Sequence, residues 1–255
     1  MIDAHNHLHD LRLSGQRREL INDMKKAGVT ACVVNGTSEE DWPAVATLAA
    51  ENPRFVVPSF GLHPWKVEQR SNDWLDNFRH FLSIHPHAPI GECGLDRWMK
   101  NPDLTVQHEV FRAHLALAVE LHRPLTIHCL KAWGPLLDEL RQAPALPKFL
   151  LHSFGGSLET ARECLKLGAY FSFSGSFLHP RKDKVRSVFA SLPPERILVE
   201  TDAPDMAPPH PEFPLDGLNH PANLALVSRQ LSDLTRLPES TFTQNAKHFF
   251  SPAIP

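Results

Sequence analysis

Short runs of β-branched and other apolar residues alternate along the chain with longer segments whose apolar residues recur every three to four positions. The first pattern is typical of buried strands and the second of amphipathic helices. It predicts strands at residues 2–5, 30–36, 55–61, 88–92, 124–128, 148–152, 169–174 and 197–202. It predicts helices at residues 16–27, 39–51, 72–84, 104–122, 133–142, 157–167, 182–191, 221–235 and 239–249. Gly28 and Gly168 stand where two of these helices are expected to end.

This strict alternation of strands and helices predicts a parallel α/β sheet, because parallel strands need crossover connections. Eight such units in 255 residues match a closed (β/α)8 TIM barrel, for which about 250 residues are typical. An open doubly wound sheet is the competing fold, but no Gly-x-Gly-x-x-Gly follows the first strand. We therefore expect a single barrel domain over residues 1–255.

The composition narrows the class of protein further. The 26 basic and 29 acidic residues give a net charge of −3, so there is no positive excess with which to cover a long nucleic acid duplex. The four cysteines form no Cys-x-x-Cys pair, and neither an export signal nor an apolar run of 18 residues is present. These features predict a reduced, cytoplasmic protein without a membrane partner. The 16 histidines exceed what packing requires.

Several of those histidines, together with carboxylates, fall at predicted strand ends. Residues two apart on a strand share a face, so His5 and His7 can converge on one point. In a parallel barrel the carboxyl ends of all strands open onto one rim, where barrel active sites are built. Imidazole and carboxylate together bind zinc, manganese or a similar ion. The sequence therefore predicts a metal site built from His5, His7, Glu92, His128, His152 and Asp202.

The ordered set of motifs resembles the TatD family of metal-dependent deoxyribonucleases. The motifs are His5-Asn-His7, Gly61-Leu-His-Pro64, Gly91-Glu-Cys-Gly-Leu-Asp96, His128, His152-Ser-Phe and Glu200-Thr-Asp-Ala-Pro204. The resemblance spans the chain and implies an amidohydrolase-type barrel with two divalent metal ions (zinc, manganese or magnesium, with zinc expected as found). It implies that His5, His7, Glu92 and Asp202 hold one ion and that Glu92, His128 and His152 hold the other. Glu92 would then bridge the ions.

Two catalytic residues and two substrate-binding residues complete the expected site. Asp202 is the candidate to orient the attacking water and accept its proton, and Glu92 is the shared ligand. His63 and Lys131 are expected to bind a substrate phosphate, the alternatives being an ordinary loop histidine and a solvated lysine. Trp65 and Trp98 follow strands three and four, where they would either stack on a base or sugar or pack within their loops.

The chain departs from the family pattern at the rim, where substrate would lie. Ser153 and Gly155 replace Cys and Ser of a family motif, Arg97 precedes Trp98 where an aromatic pair is usual, His220 replaces Glu, and Lys131 replaces Arg. These departures leave the metal ligands intact and bear on specificity. The leading expectation is hydrolysis of DNA from an end. The alternatives are hydrolysis of another phosphoester, ester, amide or lactone, including aminoacyl-tRNA, and a non-catalytic scaffold with a structural metal.

Overall fold

The computed structural model describes residues 1–254 and contains the predicted alternation of strands and helices. The parallel strands are β1 (Ile2–Asn6), β2 (Ala31–Asn35), β3 (Val56–Ser59), β4 (Ile90–Asp96), β5 (Leu125–Leu130), β6 (Phe149–Leu151), β7 (Tyr170–Phe173) and β8 (Ile197–Val199). The helices are α1 (Arg17–Lys26), α2 (Trp42–Glu51), α3 (Trp74–Ile84), α4 (Leu104–Glu120), α5 (Trp133–Gln142), α6 (Leu158–Lys166), α7 (Asp183–Phe189), α8 (Leu224–Thr235) and α9 (Glu239–Phe250). A short antiparallel pair, β9 (Pro214–Leu215) and β10 (Leu218–Asn219), precedes α8.

The strands follow one another in chain order around a ring. Parallel hydrogen-bonded pairing joins β1 through β3 and β4 through β8, and a parallel bridge between Phe60 and Ile90 connects the two groups. The ring closes just beyond β8, where Asp202 N donates to His5 O at 2.9 Å and His7 N donates to Ala203 O at 2.7 Å. The predicted (β/α)8 TIM barrel is therefore confirmed.

A buried carboxylate reinforces this closure, which we call the seam (residues 3–7 and 201–203). Asp3 accepts hydrogen bonds from Thr201 N at 3.0 Å and from Thr201 Oγ1 at 2.6 Å. It also accepts a bond from Asn6 Nδ2 at 3.1 Å. Burial raises the pKa of Asp3 to about 7, although the bonds from Thr201 act in the opposite direction.

The opposite end of the barrel is filled by apolar side chains. Ala246, Phe249 and Phe250 of α9, together with Ile254, pack against side chains of the strands. The contacted strand residues are Ile2, Ala4, Ala31, Val33, Val57, Leu150, Tyr170 and Leu198. A second and larger apolar cluster runs from Leu8 to Phe242 between the strands and the surrounding helices. One domain over residues 1–255 stays a prediction, and Pro255 lies outside the described residues.

The predicted strand ends differ most from the structure at β4 and β8, while the other strands end within two residues of the prediction. β4 continues to Asp96 because Leu95 and Asp96 remain paired with Cys129 and Leu130 of β5. β8 stops at Val199, and Asp202 beyond it has a φ of 55°, which a strand does not accommodate. The helix ends predicted at Gly28 and Gly168 are confirmed, since these residues have φ values of 87° and 91°. Within residues 1–254 no helix is long and apolar enough to cross a bilayer.

Candidate metal centre

The barrel brings together all six side chains that the sequence predicts as metal ligands. His5 and Glu92 lie within β1 and β4, and His128 lies within β5. His7, His152 and Asp202 follow β1, β6 and β8. Five histidine rings surround the Glu92 carboxylate, at His5, His7, His63, His128 and His152. Their convergence follows from the parallel ring, because the histidines and Asp202 lie near or just beyond the carboxyl ends of their strands. Glu92 reaches the same point from the third position of β4.

Two glycines allow the backbone to approach closely enough for Glu92 to reach the centre. Gly94 has a φ of 147°, and a Cβ built there would lie 1.9 Å from the carbonyl oxygen of His128. A Cβ at Gly61 would lie 2.6 Å from the carbonyl oxygen of Glu92. No side chain fits in either place. The contact at Gly94 explains why this position of the Gly91–Asp96 motif is a glycine.

The first group of donor atoms lies on the Oε2 side of Glu92. His5 Nε2 and His7 Nε2 are 3.2 Å apart, and each lies 3.3 Å from Glu92 Oε2. The same two nitrogens lie 3.5 Å and 3.4 Å from Asp202 Oδ1. A tetrahedral ion with bonds of about 2.0–2.2 Å holds its donor atoms about 3.3–3.6 Å apart. The spacing and the chemistry of these four donors therefore fit one metal ion.

The second group lies on the Oε1 side of the same carboxylate. His152 Nε2, His128 Nδ1 and His63 Nε2 lie 2.7 Å, 3.1 Å and 3.4 Å from Glu92 Oε1. His128 Nδ1 and His152 Nε2 are 3.2 Å apart. The contact at 2.7 Å has the length of a hydrogen bond between an imidazole and a carboxylate. The two oxygens of Glu92 thus face two separate groups of imidazoles.

Hydrogen bonds away from the centre determine which ring nitrogens carry protons. His7 Nδ1 lies 2.8 Å from the carbonyl oxygen of Asn35, which can only accept. His128 Nε2 lies 2.9 Å from Asp96 Oδ2, an ionised carboxylate that also only accepts. Both outer nitrogens are therefore donors, and in the neutral rings the nitrogens that face Glu92 carry lone pairs. His7 and His128 are thus oriented as metal ligands.

His63 has the opposite arrangement. Its Nδ1 accepts a hydrogen bond from Trp65 N at 3.1 Å, so the neutral ring carries its proton on Nε2, which faces Glu92. Burial lowers the pKa of His63 to about 4 and keeps the ring neutral near pH 7. His63 therefore presents an N–H donor to the centre, which matches the substrate-binding role predicted for it better than a ligand role.

The carboxylates of the centre favour their ionised forms. Burial alone would raise the pKa of Glu92, but His152, His63 and His5 hold it well below its usual range. The pKa of Asp202 is likewise lowered, because the bond to His7 and the nearby rings outweigh burial. In turn Glu92 raises the pKa of His152 well above its ordinary value despite the burial of that ring. Without a cation, protons on the rings balance the carboxylates, so metal binding must displace protons.

Lys131 does not contact this centre. It is exposed, it has a φ of 55°, and within residues 1–254 it takes part in no ion pair. Backbone pairing places it beside the end of β4, since Arg97 N donates to Leu130 O at 2.9 Å. Its predicted role in binding phosphate stays a prediction.

Two carboxylates that support the ligands were not predicted as site residues from the sequence. Asp96 accepts a hydrogen bond from His128 Nε2. This bond and those from Trp65 and Trp98 outweigh the effect of burial and lower the pKa of Asp96 to about 2. Glu200 is fully buried, lies 3.6 Å from His152 Nδ1 and accepts from Ser153 N at 2.7 Å. Both residues lie within the quoted motifs that end in Gly-Leu-Asp96 and begin with Glu200-Thr-Asp, so the motifs could have indicated them.

Comparison with known proteins identifies the family. Residues 2–251 match the family described as TatD related DNase. The chain is 31% identical to the uncharacterized metal-dependent hydrolase YjjV of Escherichia coli K12, across 95% of this chain and 93% of that protein. It is 29% identical to the 3'-5' ssDNA/RNA exonuclease TatD of Pectobacterium parmentieri, across 98% of this chain and 99% of that protein.

A solved structure agrees with both sequence comparisons. The crystal structure of the TatD homologue YjjV from Escherichia coli K12 superposes with a TM-score of 0.88 at 30% identity, covering 100% of this chain and 97% of that one. The match thus extends over the whole barrel and over every strand end that contributes to the centre. The chain belongs to the TatD-related DNase family and is a metal-dependent hydrolase.

Proposed function

We propose that this enzyme hydrolyses phosphodiester bonds of DNA from the end of a single strand, with two divalent metal ions. The observation that carries the proposal is the Glu92 carboxylate, whose two oxygens face two separate groups of imidazole nitrogens. Two ions bridged in this way are typical of sites that displace groups at phosphorus. The activity named for the Pectobacterium relative supports nucleic acid as the substrate class.

The ligands divide according to the two oxygens of Glu92. His5, His7, Glu92 and Asp202 would hold the first ion, and Glu92, His128 and His152 would hold the second. This division follows the distances of the Oε2 and Oε1 groups. Donor sets rich in imidazole favour zinc over magnesium. When bound, the ions would polarise the phosphoryl oxygen and lower the pKa of the attacking water.

Side chains of the protein would accept the proton of the attacking water and bind the substrate phosphate. Asp202 stays ionised because its pKa is lowered, so it can orient a water molecule and accept its proton. Its backbone is held for this task at a φ of 55° by the bond from Asp202 N to His5 O. His63 directs its Nε2–H into the centre, where a non-bridging phosphate oxygen would accept it. Lys131 supplies a positive charge at the rim.

The first test is metal content. Protein reconstituted at saturating zinc is expected to hold two ions per chain by elemental analysis. His128→Ala is expected to retain one, because only the Oε1 group is disrupted. The exposed His80 gives the matched control, and His80→Ala should retain both. One ion in the wild type, or loss of both in a folded His128→Ala, would contradict the division of ligands.

The second test is the substrate. The zinc- or manganese-loaded enzyme is expected to shorten end-labelled single-stranded DNA one nucleotide at a time, and chelation with EDTA should abolish the reaction. A panel of carboxylic esters and lactones is assayed in parallel. Hydrolysis of the esters or lactones without shortening of the DNA would contradict the proposed function and would show that the enzyme acts on another class of substrate.

A further inference from the structure

Two indole rings remain exposed beside the metal centre. Trp65 and Trp98 are 49% and 60% exposed to solvent. Large apolar rings are normally buried, and exposed ones grouped at one place mark a binding surface. Both residues stand on the carboxyl-end rim, Trp65 beyond β3 and Trp98 beyond β4.

One carboxylate fixes both tryptophans relative to the metal ligands. Asp96 Oδ2 accepts from Trp65 Nε1 at 2.8 Å and lies 2.9 Å from His128 Nε2. Asp96 Oδ1 accepts from the backbone N of Trp98 at 2.6 Å. His128 in turn lies 3.1 Å from Glu92. The only polar atom of the Trp65 ring is thus already bonded, and what remains available to a partner is its aromatic surface.

Unpaired cations flank the two rings. Lys66 follows Trp65, Arg97 precedes Trp98, and Lys131 lies beside Arg97 through the pairing of β4 and β5. Within residues 1–254 none of these three forms an ion pair. The rim beyond β1 and β8 differs, because its cation Arg12 is held by Asp10 and Asp205 at 2.8 Å and 2.7 Å. Free positive charge therefore accompanies the exposed rings.

We propose that Trp65, Trp98, Lys66, Arg97 and Lys131 form a platform for the unpaired strand next to the bond being cleaved. The bases stack on the indoles and the phosphates lie against the cations, the combination by which proteins hold single strands without regard to sequence. Bases inside a duplex are already stacked, so the platform selects single strands. This inference rests on the proposed function and assigns the surface that the substrate occupies.

Binding of a slowly hydrolysed oligonucleotide tests the platform. The metal-loaded enzyme is titrated into a fluorescein-labelled phosphorothioate 12-mer, as a single strand and as a blunt duplex, and the Kd is read from anisotropy. Trp98→Ala is expected to raise the Kd for the single strand about tenfold, and the wild type should bind the duplex at least tenfold more weakly. Lys131→Gln should raise the Kd severalfold and reduce its salt dependence.

Matched variants separate stacking from other effects. Trp65→Phe keeps an aromatic ring but loses the bond to Asp96, so its Kd should stay within threefold of the wild type, whereas Trp65→Ala should resemble Trp98→Ala. Leu11→Ala removes a residue that is 85% exposed on another part of the rim and should leave the Kd unchanged. Lys247→Gln on α9 controls for loss of a distant charge.

The outcomes that overturn the platform differ from those that overturn the proposed function. No binding of the 12-mer by the wild type, an unchanged Kd for Trp98→Ala, or a Trp65→Phe as weak as Trp65→Ala would each refute the platform. Failure of the wild type to shorten an unmodified oligonucleotide would refute the proposed function instead, whatever the Kd. Shortening by the wild type with unchanged binding by Trp98→Ala would refute the platform alone.

Discussion

The two ends of this barrel are built on opposite principles. At the amino end Phe249, Phe250 and Ile254 fill the interior. The Asn245 amide there has partners, since its Nδ2 donates to the carbonyl oxygens of Pro194 and Ile197 at 2.7 Å and 2.8 Å. The carboxyl end instead gathers five imidazoles around one buried carboxylate.

The carboxyl end also leaves polar atoms without partners. Within residues 1–254, six buried side-chain atoms lack a hydrogen bond. Four of them belong to residues at or just beyond strand ends of this face, namely His5, His9, Asn35 and His152. Asp202 and Ser153 there have φ values of 55° and 44°, a conformation that costs non-glycine residues about 1 kcal/mol or more. The amino end of the barrel is therefore closed by apolar packing, whereas the carboxyl end gives up some stability to hold a reactive group of side chains.

The largest expected effect is a loss of hydrolysis without a loss of stability. Asp202→Asn should lower hydrolysis about 10²–10⁴-fold, since an amide cannot accept the proton of the attacking water. The melting temperature should change little, and His5, His7 and Glu92 remain to hold the first ion. Turnover is measured with metal content verified, beside Asp216→Asn in the exposed β9–β10 turn. Activity within a few-fold of the wild type would make Asp202 a ligand only.

The next largest expected effect is a loss of stability without a loss of activity. Phe249→Ala should lower the free energy of unfolding by about 3–5 kcal/mol, because the ring is fully buried against Tyr170 and Phe250. The folded fraction should keep its metal content and turnover. Chemical denaturation gives the first quantity and elemental analysis the second. Loss of metal from the folded protein would show that the two ends are coupled.

A smaller effect is expected from His114, a buried histidine of α4. His114 Nδ1 donates to Val110 O at 2.7 Å, and Nε2 accepts from Leu62 N at 3.0 Å. Burial lowers the pKa of His114 to about 4. The unfolded chain, with a histidine pKa near 6.5, therefore takes up the proton first. Stability should be complete above about pH 6.5 and should fall by up to about 3 kcal/mol as the pH drops toward 4.

Unfolding free energies at pH 7.5 and pH 5 measure this dependence. His114→Gln should be less stable at pH 7.5, because it disturbs the hydrogen bonds of the buried ring. Its free energy of unfolding should fall less on acidification, because glutamine does not titrate. His80→Gln, at an exposed position of α3, should behave as the wild type. Equal losses in the wild type and His114→Gln would assign the acid sensitivity to other groups.

The smallest expected effect distinguishes the affinities of the two proposed metal ions at the carboxyl end. Asp96→Asn should weaken metal binding about 10–100-fold, because the amide no longer fixes the His128 ring with a charged acceptor. The second ion should be affected and the first retained. Calorimetric titration with zinc resolves the two, with Asp216→Asn again as control. Equal weakening of both ions would contradict the assignment of His128 to the second.

Much of this architecture could be predicted because it depends on local patterns. Eight apolar runs, each followed by an amphipathic segment, determine the barrel, and the barrel rule brings His5 and Asp202 to one rim. The extension of β4 to Asp96 could not be predicted, since it depends on pairing with β5. The actual end of β8 was missed for the same reason, because contacts across the seam hold Asp202 outside the strand.

The contacts that support the metal centre and the seam could not be predicted from the sequence, because they join distant parts of the chain. Asp3 and Thr201 are 198 residues apart, and nothing in either local sequence indicates the other. The protonation of His63 depends on a backbone N–H two residues away, which requires the turn to be known. Residue type therefore identifies candidate ligands, while the direction of each ring nitrogen requires the folded structure.

The seam has a consequence for the order in which the enzyme gains activity during synthesis. His5 and His7 are synthesised well before Asp202, which joins them only after β8 has been made and the residues that follow it have bonded to β1. A chain whose synthesis has not reached Asp202 therefore lacks one ligand of the proposed first metal site. If the proposed function holds, the emerging chain cannot cleave nucleic acid near the ribosome. Catalytic competence and closure of the barrel then arrive in the same step.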